Sequence, residues 1–233
     1  MSSTTGKSPF LQGLTQSLPF LVIGVPFAML YGIVATEAGL SVTQTVGMSV
    51  VVIAGAAQFT VIQLLTENAP IWAALFAGLA VNLRMAMYSA SLQPYLGAAP
   101  FWQRVFISYL NVDASYALGV LEYERRPERP LSEKVAFFVG TMTLMAPLWF
   151  IGSFIGAIAG EALPKELSLD FAMPILFLAL VGPMLRTLAH LGAAVTSIVA
   201  ALALSGLPGG TGILIAGLLA MVVGAEIERR RGR

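Results

Sequence analysis

The sequence predicts an all-α polytopic membrane protein of about eight transmembrane helices, with seven as the alternative count and several helices broken by proline or glycine. Three observations predict it. The 233 residues are 57% hydrophobic and only 11% charged, with a mean hydropathy of +0.83, and a soluble domain of this size would expose far too much apolar surface. The apolar runs approach the roughly 20 residues that a helix needs to cross a hydrocarbon core. Lys and Arg gather in a few short segments between those runs.

Taken in order, the runs fall at 17–36, 43–65, 70–90, 104–122, 134–158, 171–187, 189–204 and 209–227. Met1 to Ser17 carries one Lys, no long apolar core and no small-residue cleavage site, so the first span is expected to be retained. That span holds Pro19, Gly24, Pro26 and Gly32. Pro26 removes a backbone donor and crowds the carbonyl four residues back, which predicts a break placed against protein or water. The second span contains Ala54-Gly55-Ala56-Ala57-Gln58-Phe59, where small residues allow close approach and Gln58 puts an amide at membrane depth. The fifth has Pro147 after Thr141 and Thr143, and the sixth has Pro174 and then Gly182-Pro183. Arg186 and His190 leave almost no loop between the sixth and seventh runs, so seven spans result if one of these only partly crosses. Two four-helix halves, with Pro26 and Pro147 as matching breaks, would make an inverted repeat, although the phrases around them share little.

With both ends cytoplasmic, the inner side holds Lys7, Arg125, Arg126, Arg129, Lys134, Arg186, Arg229, Arg230, Arg231 and Arg233, against Arg104 and Lys165 outside. The positive-inside rule favours this arrangement. The organisation expected is one integral membrane transport domain over 1–233, with a cytoplasmic segment at 1–16 and a basic cytoplasmic tail at 228–233 that acts as a topology anchor, contact with membrane lipid being the alternative.

The sequence also excludes function classes. It has no cysteine, hence no disulfide, thiolate nucleophile or cysteine metal site. A net charge of +1 makes no case for nucleic acid. There is no HExxH, no nucleotide-binding glycine loop and no spaced carboxylate set, so an enzyme, a metal site and a cofactor are not expected. A channel would need a selectivity-filter ring or pore loop.

Arg84 is the first functional suspect, because a guanidinium inside the apolar run Ile71 to Ala90 is costly and normally faces a protein interior, a carboxylate or a water-filled path. Tyr88, four residues on, shares its helix face, and Asn82 lies close by. The planar fork of Arg84 suits a carboxylate such as that of an amino acid. Asp113, in the middle of the fourth run, either pairs with a cation or takes up a proton as burial raises its pKa, which would couple protons to transport. The bland alternatives are an Arg84–Asp113 pair made purely for packing and an Arg84 that snorkels to the interface. Half-helix ends at Pro26-Phe27 and Gly55–Phe59 add freed backbone groups of the kind that secondary transporters use. The candidate substrate-binding residues are therefore Pro26, Phe27, Gly55, Gln58, Phe59, Asn82, Arg84 and Tyr88, with Asp113 as the proton-coupling residue. The competing class is a membrane scaffold whose polar residues only satisfy partner helices.

The ordered phrases Leu18-Pro19-Phe20, Gly24-Val25-Pro26-Phe27, Tyr31-Gly32, Ala38-Gly39-Leu40-Ser41, Gly55-Ala56-Ala57-Gln58-Phe59 and Asn82-Leu83-Arg84 with Tyr88-Ser89 resemble the AzlC family, the large subunit of branched-chain amino acid permeases. The resemblance covers essentially the whole chain and is strongest over 17–116. It implies proton-driven export of leucine, isoleucine, valine and often methionine, together with a small AzlD-type membrane subunit. The family usually places histidine after its Asn-Leu-Arg phrase, where this chain has Met85, and often follows the fourth-span Asp with Glu, where this chain has Ala114. One ionisable group therefore stands where relatives often have two, which puts the coupling ion in question.

Overall fold

The computed structural model describes residues 8–162, 185, 187–207 and 211–231. Met1 to Lys7, Lys165, the predicted span at 171–187 apart from 185 and 187, with Pro174, Gly182 and Pro183, Arg186 and Arg233 lie outside the described residues. Among the described residues there are nine α-helices and no strand: α1 (Pro9–Glu37), α2 (Val42–Val51), α3 (Gly55–Thr66), α4 (Ile71–Leu96), α5 (Phe101–Tyr109), α6 (Asp113–Arg125), α7 (Leu131–Ala162), α8 (Leu188–Ala203) and α9 (Thr211–Arg231). Four of them, α1, α4, α7 and α9, are long and apolar enough to cross a membrane. The chain divides into two compact units, one of Met1–Phe59 with Gly78–Ala162 and one of Thr60–Ala77 with Leu163–Arg233.

The frame of the first unit is the pair α1 and α7, packed backbone to backbone. A Cβ added at Gly13 would strike the Phe137 carbonyl, one at Gly32 the Ser153 carbonyl, and one at Gly156 the Met29 carbonyl. Gly140 lies equally close to Phe10, and Gly160 to Thr36. Residue numbers rise together along both helices, so α1 and α7 are parallel. The spacing Gly152, Gly156, Gly160 is the small-xxx-small pattern that lets membrane helices meet without side chains between them. This packing explains a correction to the predicted breaks: α1 runs unbroken through Pro19 and Pro26, and α7 through Pro147. Each proline deletes one hydrogen bond, but the long glycine-lined contact holds both helices on course. Parallel α1 and α7 also cannot be inverted mates, so Pro26 and Pro147 are not matching breaks of an inverted repeat.

The breaks fall instead at proline-free sites. The predicted span 43–65 is two short helices separated by Val52–Ala54, and 104–122 is two separated by Leu110–Val112. At about 1.5 Å per residue, neither α5 nor α6 alone crosses a core of about 30 Å. Their contacts show that they do not cross together either. Going along α5, Arg104 shares a cavity wall with Gly97, and Asn111 bonds Ser89, so α5 runs antiparallel to the end of α4. Then Asp113 meets Arg84, Tyr116 meets Tyr88, and Tyr123 meets Tyr95, so α6 runs parallel to it. The α5–α6 segment is a re-entrant helical hairpin.

Its two ends are fixed locally and by ions. Ser115 Oγ accepts the Val112 N–H at 2.9 Å and its hydroxyl reaches the Leu110 carbonyl at 2.9 Å, which caps the start of α6. At the far end Glu122 lies 2.9 Å from Arg129, an ion contact rather than an aligned hydrogen bond. Gln12 Oε1 accepts from Arg129 at 2.7 Å and from Arg126 at 3.3 Å. The hairpin thus returns to the end of the first unit where α1 begins, and because α5 starts beside Gly97 at that same end, Arg104 lies with Arg126, Arg129 and Lys134 and not on the opposite, outer side where the charge pattern placed it. Its core side buries Leu110, Leu118 and Tyr123 against Phe137, Phe138 and Met142 of α7.

A reciprocal capping box at Ser41 and Gln44 starts α2. Tyr31 OH donates to the Thr45 carbonyl at 3.0 Å, and Gly55 lies against Phe27 and Trp149, so α2 descends along α1. After the break, Gln58 reaches back to Ser49, and Phe59 packs on both Phe27 and Tyr31. The first turn of α3 therefore doubles back beside α2.

In the second unit, α8 and α9 form an antiparallel pair, with Gly212 against Leu204 and Gly192 against Ile227. A separate small cluster buries Leu64, Ala69, Ala74 and Ala77.

Candidate functional site

The two breaks of the first unit carry its unusual chemistry. At the second, an Arg84 Nη lies 3.1 Å from an Asp113 oxygen, and Tyr88 OH donates to the other carboxylate oxygen at 2.9 Å. Asp113 opens α6, where unpaired N–H groups favour an anion. Tyr88 stacks on Tyr116 at 4.1 Å and 9°, and Tyr116 OH meets Ser91 Oγ at 3.1 Å. Arg84, Tyr88, Ser91 and Tyr95 recur at helical spacing, so one stripe of α4 faces one stripe of α6.

This group is not closed. Arg84 Nε, Asn82 Oδ1 and Asn111 Oδ1 are buried with no hydrogen-bond partner, although such groups are nearly always paired. Arg84 and Asp113 keep 26% and 54% of their side-chain surface. A partly accessible ion pair with spare donor and acceptor capacity can exchange its partners for those of a small zwitterion.

At the first break, Phe27, Phe59 and Trp149 converge around Gly55. Ring centroids of Phe27 lie 5.2 Å from Phe59 and 5.7 Å from Trp149. A side chain at 55 would collide with both Phe27 and Trp149, at 2.5 and 2.9 Å. Gln58 is fully buried, with Nε2 3.4 Å from Ser49 Oγ, while Ser49 Oγ donates to Ser153 at 2.8 Å. Gln58 Oε1 and Trp149 Nε1 are both buried without partners. The breaks touch each other: Tyr109 OH donates to the Val50 carbonyl at 2.5 Å, and Ile53 packs on the cluster that holds Leu110.

Of the residues singled out in the sequence, the structure brings Phe27, Gly55, Gln58 and Phe59 together at one break, and Arg84, Tyr88 and Asp113 at the other. Pro26 lies on the exposed face of α1, and Asn82, two residues before Arg84 on α4, has its Oδ1 buried without a partner and does not join the ion pair. Sequence reasoning missed Tyr31, Ser49, Ser89, Tyr116, Trp149 and Ser153. Neutral polar residues are common in membrane helices, and only the pairing between distant segments marks these.

The AzlC protein family pattern matches residues 19–163, a stretch that contains both breaks and every residue of the two clusters. The chain belongs to the AzlC family. It is 26% identical over 185 residues to the inner membrane protein YgaZ of Escherichia coli, covering 75% of this chain and 72% of that protein. An uncharacterised membrane protein of Archaeoglobus fulgidus is 27% identical over 207 residues, 87% of this chain and 88% of its own length. One from Helicobacter pylori is 26% identical over 227 residues, 97% and 95% of the two chains. No solved structure matches significantly. AzlC proteins are membrane transporters, so this AzlC chain works in transport and not as an enzyme. No group of three or more His, Cys, Asp or Glu able to hold a metal occurs among the described residues.

Proposed function

We propose that this AzlC protein is a proton-coupled exporter of leucine, isoleucine, valine and methionine, acting as the large subunit of a pair with a small AzlD-type membrane protein. The observation that carries the reading is the Arg84–Asp113–Tyr88 group at the tip of the α5–α6 hairpin, with Arg84 Nε unpartnered. A zwitterion replaces this ion pair without leaving a charge behind. The substrate carboxylate takes the Arg84 fork, while its ammonium takes Asp113.

The aromatic group at the other break supports an aliphatic substrate. Phe27 and Phe59 offer apolar rings, and Gln58 Oε1 offers an acceptor to a buried N–H. One methylene more or less against such rings is worth only about 1–3 kcal/mol, so the four substrates are separated modestly. Proton coupling is assigned to the step in which Asp113 is held by neither Arg84 nor the substrate ammonium, where a proton is the remaining partner for its carboxylate. The Lys and Arg distribution supports cytoplasmic termini in a bacterial plasma membrane, with the whole chain acting as one transport domain.

The test is export of labelled leucine and methionine from cells expressing the chain with and without its small partner, at two external pH values and matched expression. Saturable export that Arg84→Ala abolishes is the expected result. Assembly with the partner but no flux of any of the four amino acids would favour the scaffold reading.

A further inference from the structure

Between α4 and α5 lies a cavity of about 110 Å³ that meets the second break only at Ser89 and Asn111. Its walls are two facing helical stripes: Ser89, Leu92, Gln93 and Leu96 on α4, and Arg104, Ile107 and Ser108 on α5 leading to Asn111. Their spacing of three and four residues places each set on one helix face. Leu92, Leu96 and Ile107 are buried and make the wall apolar, while Gln93, Arg104 and Ser108 are exposed and form the rim. Arg104 makes no ion pair or side-chain hydrogen bond among the described residues. Asn111, 3% exposed, stands at the deep end, bonded to Ser89 and next to the tip of the hairpin. The cavity lies along the half of the hairpin nearer the molecular end that carries Gln12.

A guanidinium with no partner among the described residues, set over an apolar wall, is complementary to a carboxylate on a short aliphatic chain. We propose that this cavity is an entry site for the substrate, resting on the export reading above. It takes an aliphatic amino acid by its carboxylate at Arg104 and its side chain at Leu92, Leu96 and Ile107, before transfer to Arg84. The same anion chemistry is found in a lipid phosphate with its acyl chain, and the two sources separate experimentally.

The chain has no cysteine, so Ser108→Cys places a sole thiol on the rim. Gln93→Cys on the opposite wall is a second reporter should the first fail to fold. In vesicles containing the chain with its small partner, a membrane-impermeant maleimide reads occupancy. Leucine at ten times its Kd should slow labelling about tenfold, and 3-methylbutylamine, which lacks the carboxylate, should protect far less. Arg104→Gln should reduce protection by leucine to that of the amine. The site is overturned if leucine leaves labelling unchanged in vesicles that move leucine, or if Arg104→Gln leaves its protection intact. It is overturned equally if phosphatidylglycerol in the vesicle protects the thiol and leucine does not. Protection by 4-methylpentanoate in vesicles that move no leucine would keep the anion site and sink the leucine reading instead. Neither protection nor flux would remove both.

Discussion

The phenol rings of Tyr88 and Tyr116 lie 4.1 Å apart and 9° from parallel, and each hydroxyl serves a different partner, Tyr88 the carboxylate of Asp113 and Tyr116 the hydroxyl of Ser91. The stack fixes the register of α6 against α4, while only one of its two hydroxyls touches the ion pair. Tyr88→Phe keeps the stack and removes one charge-assisted hydrogen bond, a class of bond worth about 1.5–3 kcal/mol. Leucine export should fall about tenfold or more, whereas Tyr116→Phe should leave it near wild type. Equal losses in the two variants would show that the rings act only as packing.

Arg84 and Asp113 should separate by chemistry and not only by charge. Arg84→Lys retains the cation but loses the fork that holds a carboxylate, and export should drop nearly as far as with Arg84→Ala. Asp113→Asn keeps an acceptor for Tyr88 but cannot bind and release a proton. Residual export in Asp113→Asn should be the same at two external pH values; wild-type pH dependence in that variant would rule out Asp113 as the coupling group.

Gly156 tests the α1–α7 frame. A methyl group there meets the Met29 backbone, while one at Gly24 meets nothing within 4 Å. Gly156→Ala should cost about 1–3 kcal/mol or more through overpacking and lower the thermal midpoint of the purified protein. Gly24→Ala should leave that midpoint unchanged.

Glu122→Gln leaves Arg129, only 8% exposed in its side chain, with Gln12 and the more distant Glu133. Because those partners remain, the loss should be about 1–3 kcal/mol, below that of a wholly uncompensated buried charge. Thermal unfolding in detergent reports it. Restoration by adding Arg129→Gln would show that the cost lies in the stranded cation.

At Gln58 function and stability should part. Its hydrogen bond to Ser49 is long, 3.4 Å, and its oxygen has no partner. Gln58→Leu should change stability by less than about 1 kcal/mol yet reduce substrate affinity. A large fall in thermal midpoint with unaltered affinity would assign the side chain to the fold alone.

Charge was the legible part of the site. In so apolar a chain Arg84 and Asp113 stand out, and the structure places them in contact. The helical class was legible from the long runs for the same reason. The breaks were not, because proline is the visible signal of interruption and here it misleads. Pro26 and Pro147 are carried through by a glycine-lined contact between distant segments, which a single helix does not reveal. Val52–Ala54 looks like ordinary apolar sequence, and Leu110–Val112 departs from it only at Asn111. What stops the helix there is partly local, the Ser115 cap, and partly remote, the Val50 carbonyl taken by Tyr109. Trp149 and Ser153 escaped notice because each is unremarkable until Gly55 and Ser49 arrive beside it.

The close seam between α1 and α7 sets a schedule for biosynthesis. Gly32 and its partner Gly156 are separated by roughly 120 residues of chain, and ribosomes add about 5–20 residues per second. For some 6–25 s the earliest helix is therefore in the bilayer with two prolines and a bare glycine seam but no mate. During that interval its continuity depends on whatever attends nascent chains at the insertion site. Variants that slow or mistime the emergence of α7 should be degraded before they assemble, even when the finished protein would be stable.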